Sequence, residues 1–189
     1  MAFSCKTLTA LAGCLTLALA AHAEDVVFVQ IASQTNPASK DNAKGMAVGI
    51  QAYFDAVNAK GGIQGNKLVL KIKDDNLQAD QMVQLTKESI ADPSVVGLLG
   101  LLNSAGLAEV AKQDLAAQGQ IAVIAPLQGD KHVIGAGNVF PFRSGYANEI
   151  EALLKEAKNW GKDTLSVVNM GIAFGPALAK VALERAQAM

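Results

Sequence analysis

Four short stretches of this 189-residue chain fall where a small ligand could be held, and one of them carries groups that could meet a carboxylate. Asn103, Ser104 and Ala105 follow the apolar run Val95-Val96-Gly97-Leu98-Leu99 and open a helix-patterned segment. A serine hydroxyl beside the free N–H groups of a helix N-terminus can meet a carboxylate. Asn103 or Ser104 can equally be an ordinary helix cap, and spacing alone leaves both readings open. Leu127, Gln128 and Gly129 follow a second run, Ile121-Ala122-Val123-Ile124, past Pro126. Residues 33–36 and Asn76 follow two more runs. In open α/β sheets ligands bind beyond the carboxyl ends of the strands, where all four stretches fall.

Other candidate chemistry is weaker. His132 stands in a polar loop with no second ligand at metal spacing, so it reads as a solvated side chain and no metal site is expected. Asp74-Asp75 could act as paired carboxylates, but its place after a strand reads more simply as a turn. Trp160, after a helix, reads as a packing residue. The glycines of Gly61-Gly62-Ile63-Gln64-Gly65 precede a strand, whereas a phosphate loop follows one. No catalytic residue and no cofactor is expected.

The elements that position these stretches alternate regularly. Residues 26–31 and 95–99 are buried strands, 68–73 is a second strand in order, and 121–124 a fourth. Between them run helices over 41–58, 78–91 and 104–118. The first carries Ala43, Met46, Ala47, Ile50, Phe54 and Val57 on one face, the second Met82, Val83, Thr86 and Ile90. Such βα repetition implies a Rossmann-like, doubly wound parallel sheet. A long loop, 127–138, leads to 139–143, where Pro141 demands an edge or a crossing. The pattern then predicts a helix over 147–160 with Ile150, Leu153, Leu154 and Ala157 inward, a strand over 164–169, and a helix from Pro176 to the end.

Composition is that of a globular protein, 51% hydrophobic and 17% charged, with net charge −1 and no basic stripe for nucleic acid. Lys6, an apolar core over residues 8–20 and the A-x-A site Ala21-His22-Ala23 read as a Sec signal peptide spanning 1–23. Its removal leaves 15 basic against 17 acidic side chains and no cysteine. The alternative, a lipobox ending at Cys14, fits less well because Leu15-Thr16-Leu17-Ala18-Leu19 continues the apolar run. That core is shorter than the ~20 residues a membrane span needs, and no later stretch qualifies. A periplasmic location without a membrane span after cleavage follows.

The run Val57-Asn58-Ala59-Lys60-Gly61-Gly62-Ile63-Gln64-Gly65-Asn66-Lys67-Leu68 closely resembles the INAKGGI.G..L segment of periplasmic solute-binding proteins of the leucine/isoleucine/valine type, the binding subunits of ABC importers. Further matches follow in order: Asp74-Asp75; Leu98-Leu99-Gly100 with Asn103-Ser104; Ala125-Pro126; Phe140-Pro141-Phe142-Arg143 with Tyr146 and Glu149; and Val167-Val168-Asn169 with Ala173-Phe174-Gly175. The resemblance implies two Rossmann-like lobes closing on a small ligand, an amino acid or organic acid, and permease subunits as partners. Residues 24–142 would be most of the first lobe, and 143–189 a hinge crossing with the start of a second lobe. A complete second lobe would take on the order of 100–150 further residues. On this reading the chain is a truncated copy with weak or no binding and an exposed apolar edge.

The resemblance also assigns ligand contacts to Asn103, Ser104, Ala105, Leu127, Gln128, Gly129 and Phe174. Two of these depart from the amino-acid binders: Gly129 stands where a threonine is expected, and Phe174 where a tyrosine is. A branched-chain amino acid and an aromatic or other small organic acid are then comparable ligands. A ligand sensor of the same fold is the alternative function. A Rossmann-like enzyme is a remote one, since the first strand ends in Ser33-Gln34-Thr35-Asn36, without G-x-G-x-x-G or G-x-S-x-G.

Overall fold

The computed structural model describes residues 24–169, 171 and 175–189. The expected signal segment and Phe174 lie outside the described residues. Five parallel strands, β1 (Val26–Ile31), β2 (Leu68–Lys73), β3 (Val95–Leu99), β4 (Ala122–Ile124) and β5 (Val139–Phe140), form one sheet in the order β2-β1-β3-β4-β5. β2 lies at one edge of it and β5 at the other, and Pro141, just past β5, suits an edge position.

β1 reads as a continuous apolar run because both its faces are covered. Val29 and Ile31 join Leu98 and Val123 in the main core, under α2 (Ala79–Ala91), α3 (Ser104–Lys112) and α4 (Leu115–Gln118), which add Met82, Leu107, Val110 and Leu115. The alternate side chains face α1 (Lys40–Asn58): Phe28 meets Phe54 with ring centroids 5.6 Å apart, and Gln30 donates to the Ala43 carbonyl.

The glycine-rich turn after α1 is closed largely by one side chain. The Asn58 amide donates to the Leu68 carbonyl and accepts from the Leu68 N–H, both at 2.8 Å. Gly62 adopts φ +72°, and a Cβ there would lie 2.0 Å from the Asn66 carbonyl oxygen. β2 is thereby aligned beside β1, with Val26 opposite Leu68.

Four expectations are corrected, the first being Trp160, which is 70% exposed rather than packed. The helix over 104–118 is broken, because Asp114 adopts φ +51°; the chain turns there and α4 buries Leu115 and Ala116. Aspartate tolerates this left-handed conformation better than most side chains. Residues 164–169 form no strand, since no neighbouring strand among the described residues offers their backbone a ladder. α5 (Tyr146–Asn159) buries none of its residues, and Leu153 is 70% exposed rather than inward. Its partner is α6 (Gly175–Gln187), against which it packs.

Candidate functional site

The order 2-1-3-4-5 places a topological switch point between β1 and β3, where consecutive connections leave in opposite directions. Beyond the strands the backbone keeps zipping. Leu102 N–H donates to the Ile31 carbonyl at 3.2 Å, and Leu127 N–H to the Leu101 carbonyl at 3.1 Å. The loops after β1, β3 and β4 therefore end side by side, with Ala32, Leu102 and Leu127 in one apolar cluster that also holds Ala43 and Met46.

The cap of α3 is Asn103, not Ser104. Gly106 N–H donates to Asn103 Oδ1 at 3.1 Å, while Asn103 Nδ2 donates to Asp75 Oδ2 at 2.7 Å. Asn103 is 3% exposed and Asp75 wholly buried. Ser104 is left half-buried with its hydroxyl unbonded among the described residues, and Ala105 is exposed. The hydroxyl and the first N–H groups of a nine-residue helix thus sit beyond the carboxyl end of the central strand β3, available to an anion.

Asp74 and Asp75 divide their work. The Asp74 carboxylate accepts from the Thr35 hydroxyl at 2.9 Å and from Asn76 N–H at 2.8 Å, joining the loops after β1 and β2. Burial pushes its pKa up, but the hydrogen bonds from Asn76, Thr35, Gln34 and Ser33 outweigh it, and the net shift is downward. Burial dominates at Asp75 and holds its pKa above the ordinary value. The bonds from Asn103 and Leu77 pull the other way, and the neighbouring Asp74 charge adds to the rise. Asp75 Oδ1 also accepts from Leu77 N–H, steadying the left-handed pair Asn76 and Leu77.

Leu127 lines the loop cluster, half-buried, and Gln128 is 9% exposed with its Oε1 buried and unpartnered among the described residues. Gly129 is a point of close approach. A Cβ on it would lie 2.6 Å from the Ser144 carbonyl oxygen and 3.2 Å from Tyr146 N. Its own carbonyl accepts from Tyr146 N–H at 2.9 Å. Arg143 ties the same two segments. It forks onto Glu149, Nε to Oε1 at 2.9 Å and Nη2 to Oε2 at 2.5 Å, reaches the Leu127 carbonyl at 3.4 Å, and lies over the Tyr146 ring. The hydrogen bond to Glu149 holds its guanidinium pKa above the usual value. Gly129, Ile134, Tyr146 and Leu178 border a cavity of about 330 Å³ between this loop and α6.

The structure thus places the cap and start of α3, Asn103, Ser104 and Ala105, and the loop residues Leu127, Gln128 and Gly129 on neighbouring segments beyond β3 and β4. The doublet reading of Asp74-Asp75 as a plain strand-end turn missed Asp75's grip on Asn103. A carboxylate ending one strand and an amide opening the helix after the next was the available signal. Among the described residues no group of His, Cys, Asp and Glu could hold a metal, and no helix is long and apolar enough to cross a membrane.

Comparisons with known proteins agree with this architecture. A family model described as Periplasmic binding protein matches residues 28–189. The Leu/Ile/Val-binding protein BraC3 of Rhizobium johnstonii is 31% identical over 180 residues, covering 92% of this chain and 47% of that protein. A substrate-binding periplasmic protein from Ralstonia solanacearum superposes with a TM-score of 0.78 at 21% identity, over 87% of this chain and 46% of the other. An ABC transporter substrate-binding protein from Desulfitobacterium hafniense, solved in complex with Leu, gives 0.71 at 19% identity, over 87% and 48%. All three bear the names of binding proteins rather than enzymes. The chain spans less than half the length of the curated relatives it matches. With the family model covering nearly all of the described chain, this protein belongs to the periplasmic binding protein family.

Proposed function

We propose that residues 24–142 are the first ligand-binding lobe of a substrate-binding component of an ABC importer, and that they hold the carboxylate of an amino acid or small organic acid. Residues 143–189 are then the hinge crossing and the start of a second lobe, residues 1–23 a Sec signal peptide, and the site of action the periplasm. The partners are permease subunits, and the protein carries out no chemical turnover. The observation that carries this reading is Ser104: among the described residues its hydroxyl is unbonded at the β1/β3 switch point, since Asn103 already caps the helix. The Leu/Ile/Val-binding relative and the neighbour in complex with Leu support the ligand class.

Ser104 and Ala105 supply the polar contacts, Leu127 an apolar wall, and Gln128 and Gly129 the shape of the second loop. Phe174 belongs to the opposing wall by its resemblance. The residues of this wall would by themselves support a Kd on the order of 1 mM, about −4 kcal/mol. At about 50 mM ligand this stabilises the fold by about 2.3 kcal/mol, raising Tm by roughly 5 °C or more. Thermal unfolding with L-leucine and with benzoate, against sodium chloride at equal ionic strength, tests it. A rise with either acid that Ser104→Ala abolishes is expected; no rise with either, or a rise unchanged by Ser104→Ala, refutes the reading.

A further inference from the structure

Asp75 is wholly buried, points at no solvent, and yet lies one hydrogen bond from the residue that caps α3. The Asn103 amide between them has only one satisfying orientation. Gly106 N–H can only donate, so Oδ1 must face it, and the Asp75 carboxylate accepts, so Nδ2 must face Asp75. Asp75's other oxygen is taken by Leu77 N–H at 3.1 Å. Each atom of the pair is therefore assigned: carboxylate inside, neutral amide at the helix end.

The alternative arrangement has a different charge at the cap. A carboxylate at position 103 would bond Gly106 N–H just as well, because Asp and Asn are comparable caps. It would also place a negative charge at the N-terminus of α3, where it would occupy the dipole that an incoming anion needs. With the charge one residue layer deeper, the end of the helix stays neutral and Ser104 stays free.

We propose that Asp75 is a positioning residue for the ligand site: it locks the Asn103 amide as a neutral cap, so that Ser104 and the first N–H groups of α3 remain open to a carboxylate. This rests on the reading of Ser104 as a ligand contact. It adds that a buried residue from the β2–α2 connection, in contact with no ligand, sets the anion affinity of the β3–α3 loop.

An exchange of the two side chains separates this role from a structural one. In Asp75→Asn with Asn103→Asp every bond is rebuilt: Asn Oδ1 accepts from Leu77, its Nδ2 donates to the new carboxylate, and that carboxylate accepts from Gly106. Each single change leaves a mismatch. Asp75→Asn presents an amide N–H₂ to one of two donors, and Asn103→Asp faces two carboxylates together. Urea unfolding of the full chain is expected to show each single variant with its folded-to-unfolded ratio reduced roughly tenfold or more, and the double variant within about threefold of wild type.

Anion binding is read with acetate as probe, following the Ser104 and Ala105 amide resonances. Wild type responds saturably; the exchanged protein, though equally stable, responds at least about tenfold more weakly, since the helix end is already occupied by charge. An exchanged protein that binds acetate like wild type makes the pair structural only and overturns the proposal. So does a double variant no more stable than the worse single one. Wild type that gives no acetate response fails the reading of Ser104 itself and removes the positioning role with it, an outcome identified before any variant is made.

Discussion

Gly129→Ala is expected to destabilise the protein by about 2 kcal/mol, through the contact between the second loop and the hinge crossing. The new Cβ would sit 2.6 Å from the Ser144 carbonyl oxygen, whereas ordinary contact begins near 3.4 Å. The crossing must retreat by about 0.8 Å, and overpacking of that kind costs about 1–3 kcal/mol. The same retreat stretches the 2.9 Å bond from Tyr146 N–H to the Gly129 carbonyl beyond hydrogen-bonding range, a further ~1 kcal/mol. Against this, alanine restricts the unfolded chain and returns roughly 0.4–1 kcal/mol. Urea unfolding should register the net as a midpoint lowered by about 1 M, taking a slope of about 2 kcal/mol per M. Gly45→Ala is the control: it lies in α1 with open space around its Cβ position and should stabilise by about 1 kcal/mol. A Gly129→Ala protein within about 0.5 kcal/mol of wild type would refute the close approach. It follows too that Gly129→Thr supplies the hydroxyl of the amino-acid binders only by displacing the crossing, so it should not improve L-leucine binding.

Asn58→Ala removes both bonds to Leu68 and should cost about 2 kcal/mol in urea unfolding, with a loss under 0.5 kcal/mol contradicting the account of the turn. Asn103→Ala should cost about 1–2 kcal/mol as a lost cap, while Ser104→Ala changes stability by less than about 0.5 kcal/mol; the reverse ranking in thermal unfolding would make Ser104 the cap. The Asp75 pKa is raised on folding above 3.8, so its favourable contribution is complete below that value and is lost as pH rises through the folded pKa. Followed from about pH 3 to pH 7, the stability of wild type relative to Asp75→Asn should therefore fall with rising pH, and a rise would reverse the sign assigned to its burial. Arg143→Lys keeps the charge but loses the fork on Glu149, and should destabilise by about 1–2 kcal/mol, where no change would show the crossing is held without it.

The sheet was legible because its strands announce themselves. Val26-Val27-Phe28-Val29-Gln30-Ile31 is apolar on both faces apart from Gln30, and Leu68 to Lys73 emerges with the bounds that Gly65-Asn66 before it and Asp74-Asp75 after it suggest. The break at Asp114 was not, since Ser104 to Gln118 keeps a helical pattern and only packing of Leu115 and Ala116 shows where the axis turns. Residues 164–169 have a strand's composition, but a strand is a paired object, and pairing is a property of neighbours rather than of Val167 and Val168. At the candidate site, the placement of 103–105 and 127–129 beyond the sheet follows from strand ends alone. Which of Asn103 and Ser104 caps the helix depends on Asp75, 28 residues away, and why residue 129 is glycine depends on Ser144. Both are long-range facts that local spacing does not carry.

In the proposed function the loops after β3 and β4 form one ligand-binding wall beside the β1/β3 switch point. Backbone amide shifts of the full chain titrated with L-leucine and with benzoate test it most directly. The largest saturable shifts, with at least one of the two acids, should fall on Ser104, Ala105, Leu127 and Gly129 together. Shifts centred instead on Ile134, Ala147 and Leu178, around the cavity beside α6, or no saturable shift with either acid, would contradict it.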